Sequence, residues 1–182
     1  AVPAAAYVIA PADIRRSGAR TLPDLLRLVP GVEVGAVNGV INVLTKDARE
    51  TQGTLVSLGG GSLLRGFGTV RHGFELRENA WMRVFAKGFA RGETSRLDGG
   101  DANDSWNLGR GGFRLDLQRN SGTRWSVMGD VFTSAADQVL PPATPSTALS
   151  SGGSLQVCGR FEDGQGGATS INAYYDRLRR NS

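Results

Sequence analysis

The stretch GGFRLDLQRNSGTRWSVMGDV, residues 111–131, has the most regular alternation of apolar and polar side chains in the chain. A turn-forming segment at residues 119–122 divides it into two halves. In each half the large apolar residues take alternate positions: Phe113, Leu115 and Leu117, then Trp125, Val127 and Val131. Because successive side chains of a strand point to opposite faces, this stretch predicts an antiparallel hairpin with one apolar and one polar face.

The arms of this hairpin are about ten residues each, roughly twice the usual length of a strand in a soluble protein. Ten residues at about 3.3 Å each, tilted by about 40°, span about 25 Å, which is the height of the apolar band on an outer-membrane barrel. A soluble β-sandwich gives the same alternation with shorter strands. The hairpin alone therefore leaves both interpretations open.

Five more segments alternate in the same way, so the sequence predicts about seven strands after residue 52. They lie at residues 54–58, 69–77, 81–91, 155–162 and 170–176. The segment 81–91 is the least regular, because its aromatic and basic residues share one parity: Trp81, Phe85 and Phe89 with Arg83, Lys87 and Arg91.

The connections between these segments fall into two classes. Short turn-forming segments follow the second, fourth and sixth strands, at residues 77–79, 119–122 and 163–166. Long polar segments follow the third and fifth strands, at residues 92–104 and 135–153, whereas the first connection, at residues 62–65, is short. Tight turns at one edge and long loops at the other are typical of outer-membrane barrels.

Composition excludes several classes of protein. No run approaches the ~18 consecutive apolar residues of a membrane helix. The net charge of +4 comes from 21 basic and 17 acidic residues spread along the chain, so no basic tract indicates nucleic-acid binding. A single cysteine, Cys158, rules out a disulfide framework and a cysteine-based zinc site.

No arrangement of residues predicts catalysis, a cofactor or a bound metal. His72 is the only histidine and shares the parity of Val70 and Phe74, which is typical of an ordinary strand residue. The glycines at residues 59–61 lack the Gly-Lys-Ser/Thr of a phosphate-binding loop. The carboxylates of loop 92–104 do not have the spacing of an EF-hand. We therefore expect that the protein is not an enzyme.

The first 47 residues have a different pattern. Thr21 is a predicted helix N-cap, and the apolar residues after it follow helical spacing up to Pro30. Asn38-Gly39 is a type I′ turn signal between two short apolar runs, which predicts a hairpin at residues 32–45. We expect this helix to cover the hairpin, giving a small α/β unit at residues 1–47.

Three motifs of this segment resemble the TonB-dependent outer-membrane receptors: YVIAPADIRRSG at residues 7–18, LPDLLRLVPGV at 22–32 and VNGVINVLTK at 37–46. In that family they mark the beginning and the end of the plug domain inside the barrel. Residues 111–116 and 173–177 resemble the first barrel strands of siderophore-receptor-like members. The resemblance implies a truncated plug domain at residues 1–47, with its middle missing, and the N-terminal strands of an outer-membrane β-barrel at residues 48–182.

The implied fold is mainly β: a long antiparallel transmembrane-type meander of about seven strands, a partial β-barrel, preceded by a small α/β plug remnant. Because the barrels of the family have about 22 strands, we expect seven strands to form an open sheet. The implied function is uptake of a ferric siderophore or a similar scarce nutrient across the bacterial outer membrane, although transport by this shortened chain alone is not expected. The alternative is a soluble β-sheet binding module without transport activity.

The resemblance also implies partners and contact residues. The partners are outer-membrane lipid, a ferric chelate or similar small ligand, and TonB, although no TonB box is recognised in the chain; nucleic acid is not among them. In the family, extracellular loops contact the ligand. The candidate ligand-contact residues in loop 92–104 are Arg96, Asp98, Asp101 and Asp104.

Overall fold

The computed structural model describes residues 9, 14, 16, 17, 45–120, 122–140, 144–165 and 167–181. The chain forms two compact units, Ala1–Leu44 and Thr45–Ser182. In the first unit, Ile14, Arg16 and Ser17 are helical. The predicted helix after Thr21 and almost all of the hairpin predicted at residues 32–45 lie outside the described residues.

The second unit is one sheet of seven antiparallel strands in chain order. A 3-10 turn, Arg49–Thr51, precedes it. Each strand pairs with its neighbours in sequence, so β1 and β7 are the two edges and the sheet is open. The predicted mainly β fold of about seven strands is confirmed. The strands are β1 (Gly53–Gly59), β2 (Leu64–Arg77), β3 (Ala80–Arg91), β4 (Trp106–Asn120), β5 (Thr123–Leu140), β6 (Thr144–Glu162) and β7 (Ala168–Asn181).

The strand register determines which residues share a face. Arg83 of β3 lies opposite Arg114 of β4, and Asp116 lies opposite Ser126 of β5. The odd residues of β3 therefore lie with the even residues of β4 and β5. This explains the irregular segment 81–91: its aromatic and basic residues share the polar face, while Met82, Val84 and Ala86 lie on the apolar face.

The apolar face of β3–β6 is free of charge over a long distance. Between the row of Asn107 and the row of Leu117, these four strands place no Asp, Glu, Lys or Arg on this face. Ten residue steps at about 3.3 Å correspond to about 33 Å along a strand, or about 25 Å at a tilt of about 40°. The large side chains of this face are Met82, Val84, Phe113, Leu115, Leu117, Trp125, Val127, Val131, Leu149, Leu155 and Val157.

The described residues form no ordinary hydrophobic core. Their buried hydrophobic residues are three alanines, at positions 48, 80 and 148. By contrast, Arg114 and Asp116 on the polar face are only 7% and 9% exposed. On the apolar face, Val131 is 68% exposed and Leu155 is 45% exposed. The sheet is thus a single layer that buries charge on one face and leaves apolar side chains uncovered on the other.

The connection between β5 and β6 differs from the prediction. β5 continues to Leu140 and β6 begins at Thr144, so the long polar loop predicted at residues 135–153 is wrong. Most of this segment is a hairpin extension in which Val139 pairs with Pro145. Ser105 and Thr147 hydroxyls donate hydrogen bonds of 2.5 and 2.6 Å to the carboxylate of Asp137. Such polar contacts stabilise strands whose composition resembles that of a loop.

The other connections follow the predicted lengths. Tight turns join β2 to β3 and β4 to β5, and a loop at residues 92–105 joins β3 to β4. Asn79 in the first of these turns has a φ of 63°, a conformation that asparagine tolerates better than most residues. No helix in the described part of the chain has the length and hydropathy needed to cross a bilayer.

Candidate functional site

A buried ion pair lies on the polar face of β4. Arg114 and Asp116 are two positions apart on β4, so both side chains project from the same face. The Nε atom of Arg114 donates to both carboxylate oxygens of Asp116, at 3.0 and 2.9 Å. The hydroxyl of Ser126, opposite on β5, donates to the same carboxylate at 2.6 Å. We call these three residues the anchor.

The anchor holds the segment that leads into the sheet, residues 45–52, which we call the strap. Arg114 donates through Nη1 to the carbonyl and the hydroxyl oxygens of Thr45, at 3.1 and 2.7 Å. Its Nη2 atom forms an ion pair with Asp47. The backbone N–H of Ala48 donates to Asp116 at 2.5 Å. Every group of the buried pair therefore has a partner, which a buried charge requires.

Two further contacts fix the strap on β2 and β3. Arg83 donates through Nη1 to the carbonyl oxygen of Lys46 at 2.9 Å and to the hydroxyl of Thr51 at 3.3 Å. The backbone of Thr51 passes so close to Gly73 that a Cβ at Gly73 would overlap the Thr51 carbonyl oxygen. Glycine is required there because the two backbones approach closely. Residues 45–52 thus cover part of the polar face through specific contacts.

An open groove of about 610 Å³ lies beside the anchor. Its lining is mixed: Asp116, Arg124 and Arg160 contribute charged groups, and Trp81 and Trp125 contribute apolar surface. Such a surface offers hydrogen-bond donors and acceptors to a polar ligand. No group of three or more His, Cys, Asp or Glu side chains among the described residues is arranged to hold a metal ion.

The four predicted ligand-contact residues lie in one loop, 92–105, which folds as a small hairpin. Ser95 and Asp101 form an isolated β-bridge. Arg96 and Asp98 lie at the tip, 3.5 Å apart, with side chains 60% and 62% exposed. Asp98 also accepts a hydrogen bond from the backbone N–H of Gly100 at 3.1 Å, so it stabilises the turn. Contact of these residues with a ligand stays a prediction.

Asp104 lies at the base of this loop. The backbone N–H and the hydroxyl of Thr94 donate to its two carboxylate oxygens, at 2.7 and 2.8 Å. These hydrogen bonds, the backbone one foremost, hold the pKa of Asp104 below its usual value. Asp104 therefore closes the loop, and the structure separates it from the exposed pair at the tip.

The anchor was not singled out by the sequence. The alternation places Arg114 and Asp116 on the polar side of β4, and opposite charges two positions apart on a strand are a signal for a pair on one face. The third charged partner, Asp47, lies 67 positions before Arg114. No local pattern connects residues at that separation, so the role of the strap becomes visible only from the fold.

Comparison of this chain with protein families, with curated proteins and with solved structures finds no match in any of the three. Function is therefore inferred from the geometry of the two faces and from the motifs of the sequence.

Proposed function

We propose that this chain is part of a TonB-dependent-type receptor of the bacterial outer membrane, which takes up a ferric siderophore or a similar scarce nutrient. The observation that carries the proposal is the charge-free apolar face of β3–β6. The opposite face of the same strands buries the charged side chains of the anchor and contacts the strap. The motifs at residues 7–18, 22–32 and 37–46 support the family assignment. A complete barrel of this kind needs more strands, so the chain acts as part of a receptor.

The exposed apolar side chains favour lipid over water as the surroundings of this face. Moving a valine or leucine side chain from water into an apolar environment contributes about 1.5–3 kcal/mol. Val131, Leu149 and Leu155 are each about half exposed or more on this face. Soluble monomers rarely expose large contiguous apolar patches. Contact with lipid tails would remove these apolar side chains from water, so the face would need no second layer of protein to cover it.

The ends of the apolar face also suit a membrane. Near the short turns, the rings of Trp125 and Phe161 pack edge to face with centroids 5.4 Å apart. Aromatic side chains of this kind are enriched at the interfaces of outer-membrane barrels. At the opposite end, loop 92–105 and the β5–β6 hairpin extend past the neighbouring strands. In the proposed orientation they are extracellular and supply the candidate contacts Arg96, Asp98 and Asp101 for a ferric chelate.

Tryptophan quenching by brominated lipid tests the orientation of the sheet. Trp125 lies on the apolar face and Trp81 on the polar face, in adjacent rows, so the two differ in face but little in depth. The chain is reconstituted into vesicles as two variants that keep one tryptophan each, W81F/W106F and W106F/W125F. We expect strong quenching of Trp125 and weak quenching of Trp81. Equal quenching, or a chain that stays in the aqueous fraction without detergent, would support the soluble binding module instead.

Equilibrium binding of a ferric chelate tests the uptake role. Two ferric hydroxamates, one uncharged and one cationic, serve as probes, with the chain in an uncharged detergent. We expect the double substitution Asp98→Asn with Asp101→Asn to weaken binding, and the matched pair Asp163→Asn with Glu162→Gln, at the opposite end, to leave it unchanged. Absence of binding to either chelate would contradict a ligand-contact role for loop 92–105.

A further inference from the structure

A cluster of basic residues lies on the polar face of β2–β4, beyond the strap contacts already described. Its members occupy three successive rows of the sheet. In the first row Arg83 lies opposite Arg114, in the next Arg71 lies opposite Phe85, and in the third Lys87 lies opposite Arg110. We call Arg71, Arg83, Lys87, Arg110 and Arg114 the basic cluster.

Two members of the basic cluster are neutralised by carboxylates. Arg114 has Asp116 and Asp47 as described above. Arg110 forms an ion pair of 2.8 Å with Asp130, which also accepts a hydrogen bond of 2.7 Å from Ser154. The charge of Lys87 acts on the same Asp130 carboxylate. These carboxylates leave positive charge in excess within the cluster.

The excess is concentrated at Arg71 and Arg83. The hydrogen bonds of Arg83 go to neutral oxygens of the strap. Its charge is attracted by Asp116 and Asp47 but repelled by both Arg114 and Arg71. Within the described part of the chain, the Nε atom of Arg71 is buried and has no hydrogen-bond acceptor. A buried donor without an acceptor is costly, so its presence indicates an acceptor other than the described residues.

We propose that Arg71 and Arg83, with Lys87 beside them, bind the oxyanion group of a small molecule, either a carboxylate or a phosphate. A guanidinium presents its Nε and Nη donors as a fork that matches two oxygens of such a group. The oxyanion supplies the missing acceptor to Arg71 and separates the positive charges of the two arginines. This site goes beyond the uptake proposal and does not depend on it, because it rests on charges and hydrogen bonds of the polar face alone.

Isothermal titration of the full chain in an uncharged detergent tests the site, with citrate and inorganic phosphate as probes. We expect saturable binding of at least one, and the tighter of the two identifies the oxyanion. Arg71→Gln should weaken that binding about tenfold, because a charge-assisted hydrogen bond is lost. Arg71→Lys, which keeps the charge but lacks the fork, should weaken it less than Arg71→Gln but more than twofold.

Arg179→Gln on β7 is the matched control, because it removes the same charge from the other face of the sheet. We expect a change of less than twofold. Equal weakening by Arg179→Gln and Arg71→Gln, or no saturable binding of either probe, would overturn the proposal. If Arg71→Gln does not fold, the ¹⁵N resonance of the Arg71 Nε–H in the unmodified chain decides: it must shift with the bound probe, and a resonance that stays fixed counts against the site.

Discussion

The two faces of this sheet are formed by the same strands but differ in what they bury: one buries charged side chains, and the other leaves apolar side chains exposed. On the polar face, Arg114 and Asp116 are buried beneath the strap and fully hydrogen-bonded. On the apolar face, Val131 and Leu155 are uncovered. In a water-soluble protein the apolar face of a sheet packs on a core and the polar face is solvated. Within the described residues no second layer of protein covers the apolar face, and the lipid environment proposed above would account for its exposed side chains.

The largest expected effect concerns the buried charge of the polar face. Asp116→Ala leaves Arg114 buried with one carboxylate partner removed and frees the N–H of Ala48, so we expect a loss of about 3–5 kcal/mol in the free energy of unfolding. Urea unfolding in detergent micelles, followed by tryptophan fluorescence, measures it.

The control for this substitution is Glu162→Ala. Glu162 forms an ion pair of 3.2 Å with Arg160 in which both side chains are about half exposed, so its removal should cost only about 0–1 kcal/mol. Similar losses in the two variants would show that the polar face is effectively solvated and that the difference between the faces is smaller than the structure indicates.

The next effect tests the apolar face directly. Leu155 and Gln156 are neighbours in β6 but project from opposite faces. In a lipid environment Leu155→Arg should cost about 2–4 kcal/mol, because a charge then lies near the middle of the bilayer. Gln156→Arg should change stability by only about 0.5 kcal/mol.

Unfolding of both variants from lipid vesicles gives the comparison. A small cost at both positions would mean that the apolar face is not surrounded by hydrocarbon. A large cost at Gln156 alone would mean that the assignment of the two faces is reversed.

Much of this arrangement could be predicted from the sequence. The alternation of residues 111–131 predicts β4, β5 and their faces, because the period of two is local and regular. The segment 81–91 could not be assigned in this way, since aromatic residues share the polar face with Arg83 and Lys87 and only pairing with β4 decides the face. Composition misled at residues 135–153, where serine, threonine and proline indicated a loop although cross-strand pairing makes a hairpin.

The anchor and the basic cluster show a second limit of prediction from the sequence, which concerns the partners of charged residues. Residue types on one strand face can be read from parity, as for Arg114 and Asp116. The partner of each charge depends on which distant segment passes over it, as Asp47 does. The orphaned Nε of Arg71 likewise follows from packing across strands, which no spacing in the sequence encodes.

A smaller effect is the coupling energy of two aromatic pairs, one on each face. It tests whether the ring contact itself or the surroundings of the face set that energy. Trp125 and Phe161 pack edge to face on the apolar face, and Phe89 and Trp106 do so on the polar face, with centroids 5.4 and 4.8 Å apart. Double-mutant cycles to alanine should give a coupling of about 0.5–1.5 kcal/mol for each pair, because the geometry is the same. If the couplings of the two pairs differ by more than about 1 kcal/mol, the environment of the face, and not the ring contact, sets the coupling energy.

The smallest effect lies outside both faces, at Asp104 in loop 92–105. Hydrogen bonds from Thr94 hold the pKa of Asp104 below its usual value near 3.8, so the folded state favours the carboxylate. Its contribution to stability is therefore fully present above about pH 4 and is lost as the pH falls through the lowered pKa. Thr94→Val removes the hydroxyl donor but keeps the backbone N–H, and should raise the pKa of Asp104 part of the way towards 3.8. Carboxyl ¹³C NMR titration measures the shift.

The control is Thr147→Val, which removes a donor to Asp137 instead and should leave the titration of Asp104 unchanged. If the pKa of Asp104 does not move in Thr94→Val, the hydroxyl contact does not stabilise the loop.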